Sequence, residues 1–241
     1  MTSAMNLILL FKSDFIDPAN TLVRLTGRRK GHVLSVGKTM AGDTLRVGLL
    51  NGNLGTGTIV RQSDDFLEMS ITLDTQPPEP LPLILIMALP RPKVFRRCIE
   101  AVTAMGVKKI FIIQSWRVEK SYWSSPVLSD DSVRDHMLLG LEQACDTMLP
   151  SVEIRKRFKP FVEDEVPDII KGTLALIAHP HTEKTCPCHI GKPVTLAVGP
   201  EGGFIPYEIG LLQKYGFEPV SLGKRILRVE HAVPALIGRL F

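Results

Sequence analysis

The apolar positions in the last two thirds of the chain form short continuous runs that alternate with segments of helical periodicity. The runs of strand length are residues 83–89, 110–113, 174–178, 194–198 and 217–222. The segments predicted as helices are residues 93–105, 129–145, 208–215 and 230–240. Strands that are apolar throughout and are separated by helices are typical of a parallel sheet covered on both faces. The pattern therefore predicts an α/β domain.

The first third has a different pattern, with shorter runs rich in β-branched residues and separated by turn signals. Residues 45–50, 56–61 and 66–73 are predicted as strands, and Asn51-Gly52 is predicted as a hairpin turn. Four prolines then follow within residues 74–82, and they predict a stiff linker without helix or central strand. We place the domain boundary near Gln76, which gives a small β-rich domain over 1–76 and an α/β domain over 77–241.

Composition and charge predict a protein without a membrane-spanning helix but do not by themselves indicate a function. The 241 residues are 44% hydrophobic, enough for packed cores, and the net charge of +4 favours an anionic partner mildly. No apolar run has the length of a membrane span, and the start of the chain lacks the features of a signal peptide, so we predict a cytoplasmic protein without membrane contact. The four cysteines show no framework spacing and are expected to be reduced thiols.

Two glycine-containing turns near the C-terminus carry the candidate chemistry. The first, Gly199-Pro200-Glu201-Gly202-Gly203-Phe204, follows the predicted strand 194–198, and the second, Leu222-Gly223-Lys224-Arg225-Ile226-Leu227-Arg228-Val229-Glu230, follows strand 217–222. Turns at the carboxyl ends of neighbouring strands favour a ligand crevice, although two ordinary αβ turns remain an alternative. The chain has neither G-x-G-x-x-G in its first βα unit nor G-x-x-x-x-G-K-[ST], which counts against a nucleotide phosphate site.

In this combination and at this separation, the two turns resemble the RsmE family of ribosomal RNA uridine methyltransferases, which belongs to the SPOUT superfamily. The resemblance extends more weakly over nearly the whole chain. It implies an α/β methyltransferase domain with a trefoil knot, preceded by a small PUA-like β-rich domain that binds RNA. It also implies a homodimer, for which the apolar helix 232–240 is a candidate interface. Ordinary core packing of that helix is the alternative.

The same resemblance implies S-adenosyl-L-methionine as the cofactor, held at three consecutive strand ends. The expected cofactor-binding residues are Ala178 and His179 at the first strand end, Gly199, Pro200, Glu201 and Gly202 at the second, and Leu222, Gly223, Ile226, Leu227 and Arg228 at the third. Backbone groups at such turns can hold the adenine and methionine parts of the cofactor, because glycine has no Cβ to keep a ligand at a distance.

The family's methyl acceptor is the uridine ring nitrogen between two carbonyls, N(3), which is a poor nucleophile while it carries its proton. The site is therefore expected to ease proton loss and to stabilise the resulting anion. Arg228 is the candidate for stabilising charge on a uracil oxygen, and Glu201 or Glu230 is the candidate for accepting the proton or orienting Arg228. Helix capping or arginine pairing is the alternative role for either glutamate.

Ribosomal RNA or the small ribosomal subunit is the implied partner. A basic cluster in the first domain is the candidate RNA contact, with a solvated helix face as the alternative; its members are Arg24, Arg28, Arg29 and Lys30. Trp116 and Trp123, which flank Arg117, are candidates for stacking on unpaired bases, with half-buried loop anchors as the alternative.

The histidines and cysteines of residues 179–189 include a C-x-C pair, Cys186-Pro187-Cys188, instead of the C-x₂-C of most zinc sites. We therefore predict no metal and interpret this segment as a loop after the cofactor strand.

The sequence also departs from the usual RsmE pattern, mainly at positions expected to face RNA. The first strand lacks its arginine, and the E-Q-x-x-R segment of the family is present as Glu142-Gln143-Ala144-Cys145-Asp146. The interpretation that fits best is a divergent member that methylates a uridine of 16S ribosomal RNA. The alternatives are a SPOUT methyltransferase acting on another RNA nucleotide and a non-catalytic RNA-binding protein that keeps the fold.

Overall fold

The computed structural model describes residues 7–36 and 39–241, without the side chains of Arg28, His32, Ser35 and Val36. One predicted RNA contact, the Arg28 side chain, therefore lies outside the described part. The chain forms two compact units. The first comprises residues up to Glu79 together with Leu138–Leu149, and the second comprises Pro80–Met137 and Pro150–Phe241.

The first unit is built on a five-stranded sheet. Its elements are β1 (Ile8–Leu10), β2 (Leu22–Thr26), α1 (Gly27–Val36), β3 (Thr44–Leu49), β4 (Leu54–Gln62) and β5 (Phe66–Thr75). The strand order is β1-β3-β4-β5-β2, with only the β1–β3 pair parallel. The predicted hairpin turn is confirmed, since β3 and β4 pair antiparallel around Asn51, whose φ of 59° suits a tight turn. Alternate strand residues such as Val23, Leu25 and Leu67 form its core.

The second unit contains the predicted parallel sheet. Its strands are β6 (Leu81–Ala88), β7 (Val107–Ile113), β8 (Ser151–Arg155), β9 (Leu174–Ala178), β10 (Val194–Val198) and β11 (Glu218–Val220), in the order β11-β9-β10-β6-β7-β8. All of their pairings are parallel. Every residue of β10 is buried, as expected for a strand covered on both faces.

The predicted helices of this α/β region are also present. They are α2 (Pro92–Ala104), α3 (Asp130–Ala144), α6 (Pro206–Lys214) and α7 (Val229–Leu240). Two short helices, α4 (Phe158–Pro160) and α5 (Val166–Ile169), flank a π-helical turn and were not predicted. The apolar side of α7, including Val233 and Leu236, is buried within the chain, and α7 packs against α2.

One prediction about the proline-rich segment is wrong. Residues 74–82 were expected to contain no central strand, yet Pro82 lies in β6, between β7 and β10. The sheet accommodates this proline because the β10 pairing begins only at Leu83 and the β7 pairing is irregular between Leu81 and Ile84. A missing N–H is tolerated at such an irregularity.

Parallel pairing sets the place of the site. Ala178 pairs with both Val198 and Val220, so the carboxyl ends of β9, β10 and β11 are level with one another. The segments that leave these three strands consequently start at one edge of the sheet, where α/β proteins bind their ligands.

Candidate active site

A pocket of about 240 Å³ lies at this edge of the sheet. It is lined by ten of the eleven predicted cofactor-binding residues: Ala178, His179, Gly199, Pro200, Glu201, Gly202, Leu222, Gly223, Ile226 and Leu227. Arg228 is the predicted residue that does not line it, although its neighbours Leu227 and Val229 do. The two glycine turns thus face one common cavity.

The first glycine turn is tight at two positions. A Cβ on Gly199 would lie 2.8 Å from the backbone nitrogen of Phe204, which is too close for any side chain. Gly203 has a φ of 71° and donates its N–H to the carbonyl of Pro200 at 2.7 Å. The turn therefore requires glycine for its own shape and presents bare backbone to the pocket.

Glu201 and Glu230 occupy different environments. Glu201 lines the pocket, and its Oε1 accepts the N–H of Arg91 at 2.9 Å, where Arg91 precedes the first residue of α2. Its carboxylate thus bonds a free N–H at the start of a helix. Glu230 lies in the first turn of α7, and its Oε2 is buried without a hydrogen-bond partner.

Both glutamates influence a buried thiol on α2. Burial raises the pKa of Cys98 to about 12, and the negative charges of Glu230 and Glu201 act in the same direction. Cys98 is therefore a neutral, packed side chain at neutral pH, which is the behaviour of a small apolar residue.

Arg228 is exposed at the start of α7. Its carbonyl accepts the N–H groups of His231 at 2.9 Å and Ala232 at 2.7 Å. The backbone of Arg228 thus begins the helix, while its side chain is left accessible beside the second glycine turn.

Arg117 lines the pocket from a different element and was not predicted there. It follows β7, and its guanidinium donates to the carbonyl of Gly202. A Cβ on Gly202 would lie 2.9 Å from Cδ of Arg117, so the two residues fit only because Gly202 has no side chain. In the sequence, Arg117 stands out only as a basic residue between two tryptophans, because sequence distance gives no sign that β7 ends near the glycine turn.

Glu208 is a second residue that sequence reasoning missed. This carboxylate is only 3% exposed, and its two oxygens accept the N–H of Trp116 at 2.8 Å and that of Ile205 at 2.9 Å. It thereby joins the segment after β7 to the end of the first glycine turn. Charge-assisted bonds of this kind are stronger than neutral ones.

We expect Glu208→Ala to reduce the free energy of unfolding by about 3 kcal/mol, because two N–H groups lose a charged acceptor. Glu218→Ala is the matched control, since Glu218 pairs with Lys184 on the exposed surface and its loss is expected to cost under about 1 kcal/mol. Urea unfolding of both variants measures the difference. Equal losses would show that the Glu208 bridge contributes nothing beyond a surface pair.

The predicted RNA-binding residues are engaged within the first unit. Arg29 donates to Asp14 at 2.5 and 2.6 Å, and Asp14 is 5% exposed. Arg24 donates to the buried Glu68 at 2.7 Å but keeps part of its side chain exposed. Lys30 donates to the carbonyl of Asp64 at 2.5 Å. Arg29 thus stabilises its own unit, while Arg24 and Lys30 remain near the surface.

Two of the three histidines in the loop after β9 belong to the pocket. His179 and His181 both line it, with ring centroids 5.7 Å apart. Burial lowers the pKa of His179 below its ordinary value, and His181 contributes in the same direction. Cys186 is buried and Cys188 is exposed. Within the described residues, no three His, Cys, Asp or Glu side chains are grouped so as to hold a metal ion.

A pocket enclosed by glycine turns at the carboxyl edge of a parallel sheet is the arrangement in which open α/β proteins bind their ligands. The model of the RNA methyltransferase domain family matches residues 77–240. The chain belongs to this family.

Similar proteins confirm the resemblance to RsmE. Ribosomal RNA small subunit methyltransferase E of Treponema pallidum is 25% identical over 95% of this chain and 88% of its own length. Ribosomal RNA small subunit methyltransferase E 1 of Borreliella burgdorferi is 25% identical over 96% of this chain and 95% of its own.

Solved structures share the fold. The ribosomal RNA small subunit methyltransferase E of Neisseria gonorrhoeae bound to S-adenosyl methionine has a TM-score of 0.72 at 20% identity, covering 97% of this chain and 96% of that one. A putative methyltransferase of Legionella pneumophila in complex with the cofactor SAM has a TM-score of 0.72 at 24% identity, covering 95% of both chains. No helix among the described residues is long and apolar enough to cross a bilayer.

Proposed function

We propose that this protein is an S-adenosyl-L-methionine-dependent methyltransferase that modifies N(3) of a uridine in 16S ribosomal RNA. The observation that carries the proposal is the pocket at the ends of β9, β10 and β11, which is enclosed by two glycine turns. Three of the four similar proteins described above are named ribosomal RNA small subunit methyltransferase E, and those names support this substrate.

The pocket fits the proposed cofactor in its chemistry. Gly199 has room for no side chain, so its turn offers backbone groups to the polar edges of a ligand. Ile226 and Leu227 are 71% and 42% exposed on the second turn, and they supply an apolar wall for a flat ring. When bound, S-adenosyl-L-methionine supplies an electrophilic methyl group on a sulfonium.

The chain's own residues would prepare the acceptor. We assign Arg228 to a uracil oxygen, where its positive charge would stabilise the anion left when the ring nitrogen loses its proton. Glu230 is our candidate for receiving that proton, because one of its oxygens has no hydrogen-bond partner. Glu201 is the second candidate, at the pocket wall, although its bond to Arg91 also supports a positioning role.

We further propose a trefoil knot in the second unit. It is supported by the loop after β9, which bonds to the chain beyond β11: Cys186 donates its N–H to the carbonyl of Ser221 at 2.8 Å, and Ile190 donates to that of Leu240 at 2.7 Å. The final helix is therefore bonded directly to a loop more than forty residues earlier in the sequence. A knotted path is rare in proteins, and these contacts are consistent with the final helix being threaded past this loop.

The domain roles are part of the same proposal. Residues 1–76 would form the PUA-like RNA-binding domain and 77–241 the methyltransferase domain, because the five-stranded sheet ends at Thr75. A homodimer is proposed with the exposed Ile226 and Leu227 as candidate apolar contacts. A cytoplasmic location follows from a ribosomal substrate.

Mapping of methylated uridines tests the proposal. Mass spectrometry of 16S ribosomal RNA from a strain without this protein is expected to show one N(3)-methyluridine fewer than its parent, and the purified protein with S-adenosyl-L-methionine is expected to restore it. Loss of a methyl group from another nucleotide would support a SPOUT enzyme of different specificity. An unchanged RNA, together with no cofactor binding in calorimetry, would support a non-catalytic RNA-binding protein.

Cofactor affinity is expected to fall as the pH decreases below 6.5, the ordinary pKa of histidine. The pKa of His179 is lowered, so the ring is neutral above 6.5 and gains a proton only below that value. A protonated ring in the pocket would repel the positive sulfonium, whereas above 6.5 the affinity should be independent of this group. Calorimetry from pH 8 to pH 5 measures the effect, and His179→Gln should flatten the profile. An acid-side loss that persists in His179→Gln would refute the role of this ring.

A further inference from the structure

Trp116, one of the two candidate tryptophans for base stacking, is an exposed residue next to Arg117 of the pocket lining. Trp116 is 79% exposed. This is the highest exposure among the large hydrophobic residues on the described surface. Trp123, by contrast, is half-buried and donates its indole N–H to Gln114. The two tryptophans therefore have different roles: Trp123 anchors its segment, and Trp116 is presented to solvent.

The backbone that carries Trp116 is held firmly. It lies in a turn closed by a bond from the N–H of Val118 to the carbonyl of Ser115 at 3.0 Å, and both of these residues are buried. The N–H of Trp116 itself is bound by the buried carboxylate of Glu208 at 2.8 Å. A partner that contacts this indole would consequently meet a preorganised surface and would order little of the protein.

The turn is also tied to the pocket. Arg117, the next residue, lines the cavity and donates to the carbonyl of Gly202, and Glu208 links Trp116 to Ile205 at the end of the same glycine turn. Arg117 and Arg225 both contribute positive charge to the pocket lining. Glu201 is the one carboxylate among the described residues of this lining, so the two arginines leave it positively charged, which suits a polyanion near the exposed indole.

We propose that Trp116 is a stacking platform for an unpaired RNA base adjacent to the methylated uridine. The inference rests on the proposed function and adds a residue that recognises RNA to it. A uridine that enters the pocket must leave its stack, so its neighbour loses a stacking partner. The exposed indole, carried by the residue before Arg117 of the pocket lining, would replace that partner. The contact would tolerate any base because every base has a π-face.

Steady-state kinetics with small ribosomal subunits from a strain lacking this protein test the proposal. Trp116→Ala is expected to raise KM for the subunits about tenfold, because stacking on an aromatic side chain contributes substantially to RNA affinity. The value of kcat at saturation and the cofactor affinity are expected to stay near those of the parent. Trp116→Phe should recover most of the loss, since the phenyl ring keeps a stacking face.

A fluorescence experiment gives an independent readout, because the chain has only two tryptophans. In Trp123→Phe the emission comes from Trp116 alone, and titration with a single-stranded RNA oligonucleotide containing uridine should quench it. In Trp116→Phe the remaining emission should change little.

Three results would overturn the proposal: an unchanged KM in Trp116→Ala, no quenching in Trp123→Phe, or conversion of a dimer to a monomer by Trp116→Ala in sedimentation. The last result would assign the indole to a second copy of the chain. Failure of the proposed function is distinguishable, because the parent protein itself would then methylate no RNA.

Discussion

Gly199→Ala is expected to weaken binding of S-adenosyl-L-methionine by about a hundredfold, since overpacking at a tight site typically costs about 1–3 kcal/mol. The added Cβ would lie 2.8 Å from the backbone nitrogen of Phe204 and 3.1 Å from Cα of Gly203. Neither contact involves a flexible side chain, so relief requires a shift of the turn itself. That turn forms one wall of the pocket.

The matched control is Gly210→Ala. Gly210 lies in α6, and a Cβ added there would have no atom within 4 Å, so the same methyl group enters open space. Alanine at this helical position is expected to leave cofactor affinity unchanged and to add about 0.5–1 kcal/mol of stability. Calorimetric titration of both variants measures the difference. Parental affinity in Gly199→Ala would show that the cofactor does not depend on this turn.

Arg228→Ala is expected to abolish detectable methyl transfer while the protein stays folded. Loss of one group that stabilises a developing negative charge typically lowers kcat by about 10²–10³. The fold should persist, because Arg228 contributes its carbonyl, not its side chain, to the start of α7. Cofactor affinity should also change little, since the side chain does not line the pocket.

Single-turnover methylation with saturating cofactor and RNA separates these effects. Arg134→Ala is the control: Arg134 is an exposed arginine on α3 in the second unit, and its loss removes the same charge from the protein. Arg228→Lys should recover part of the rate by restoring the positive charge. Near-parental turnover by Arg228→Ala would refute the catalytic assignment.

Much of the second unit could be predicted because its strands are buried on both faces. Residues 194–198 are apolar or small throughout, and this continuous run indicates β10 with its observed bounds. The less apolar β8 carries Glu153 and Arg155 at its centre and end, so no apolar run marks it. An edge strand with partly exposed residues leaves a weaker signal than a central one.

The position of the pocket could be predicted from the parallel sheet, but not all of the residues that line it. Parallel strands bring their carboxyl ends together, so the turns after β9, β10 and β11 were expected to meet. Nothing in the sequence indicates that Arg117 or Glu208 belongs to the site, although Arg117 lies between two tryptophans. Their importance comes from contacts between distant segments, such as the bond from Trp116 to Glu208, which lie 92 residues apart.

In the basic cluster of the first domain, sequence reasoning predicted RNA contacts, and the structure shows that one of these residues is already paired within its own unit. A run of arginines in sequence indicates positive charge, but not whether that charge is already paired. Arg29 donates to Asp14, fifteen residues earlier, and the Asp14 side chain is only 5% exposed. Burial of one partner makes that pair part of the unit's own structure.

The order of apolar runs and glycine turns by itself determined the parallel sheet, the edge that carries the pocket and the family resemblance, because burial and turn geometry restrict residue types locally. Only the tertiary structure decided which side chains from other segments complete the pocket. It placed Arg117 against Gly202, bonded Glu201 to Arg91 and left the Trp116 ring in solvent. Such contacts join residues far apart along the chain, and no local pattern encodes them.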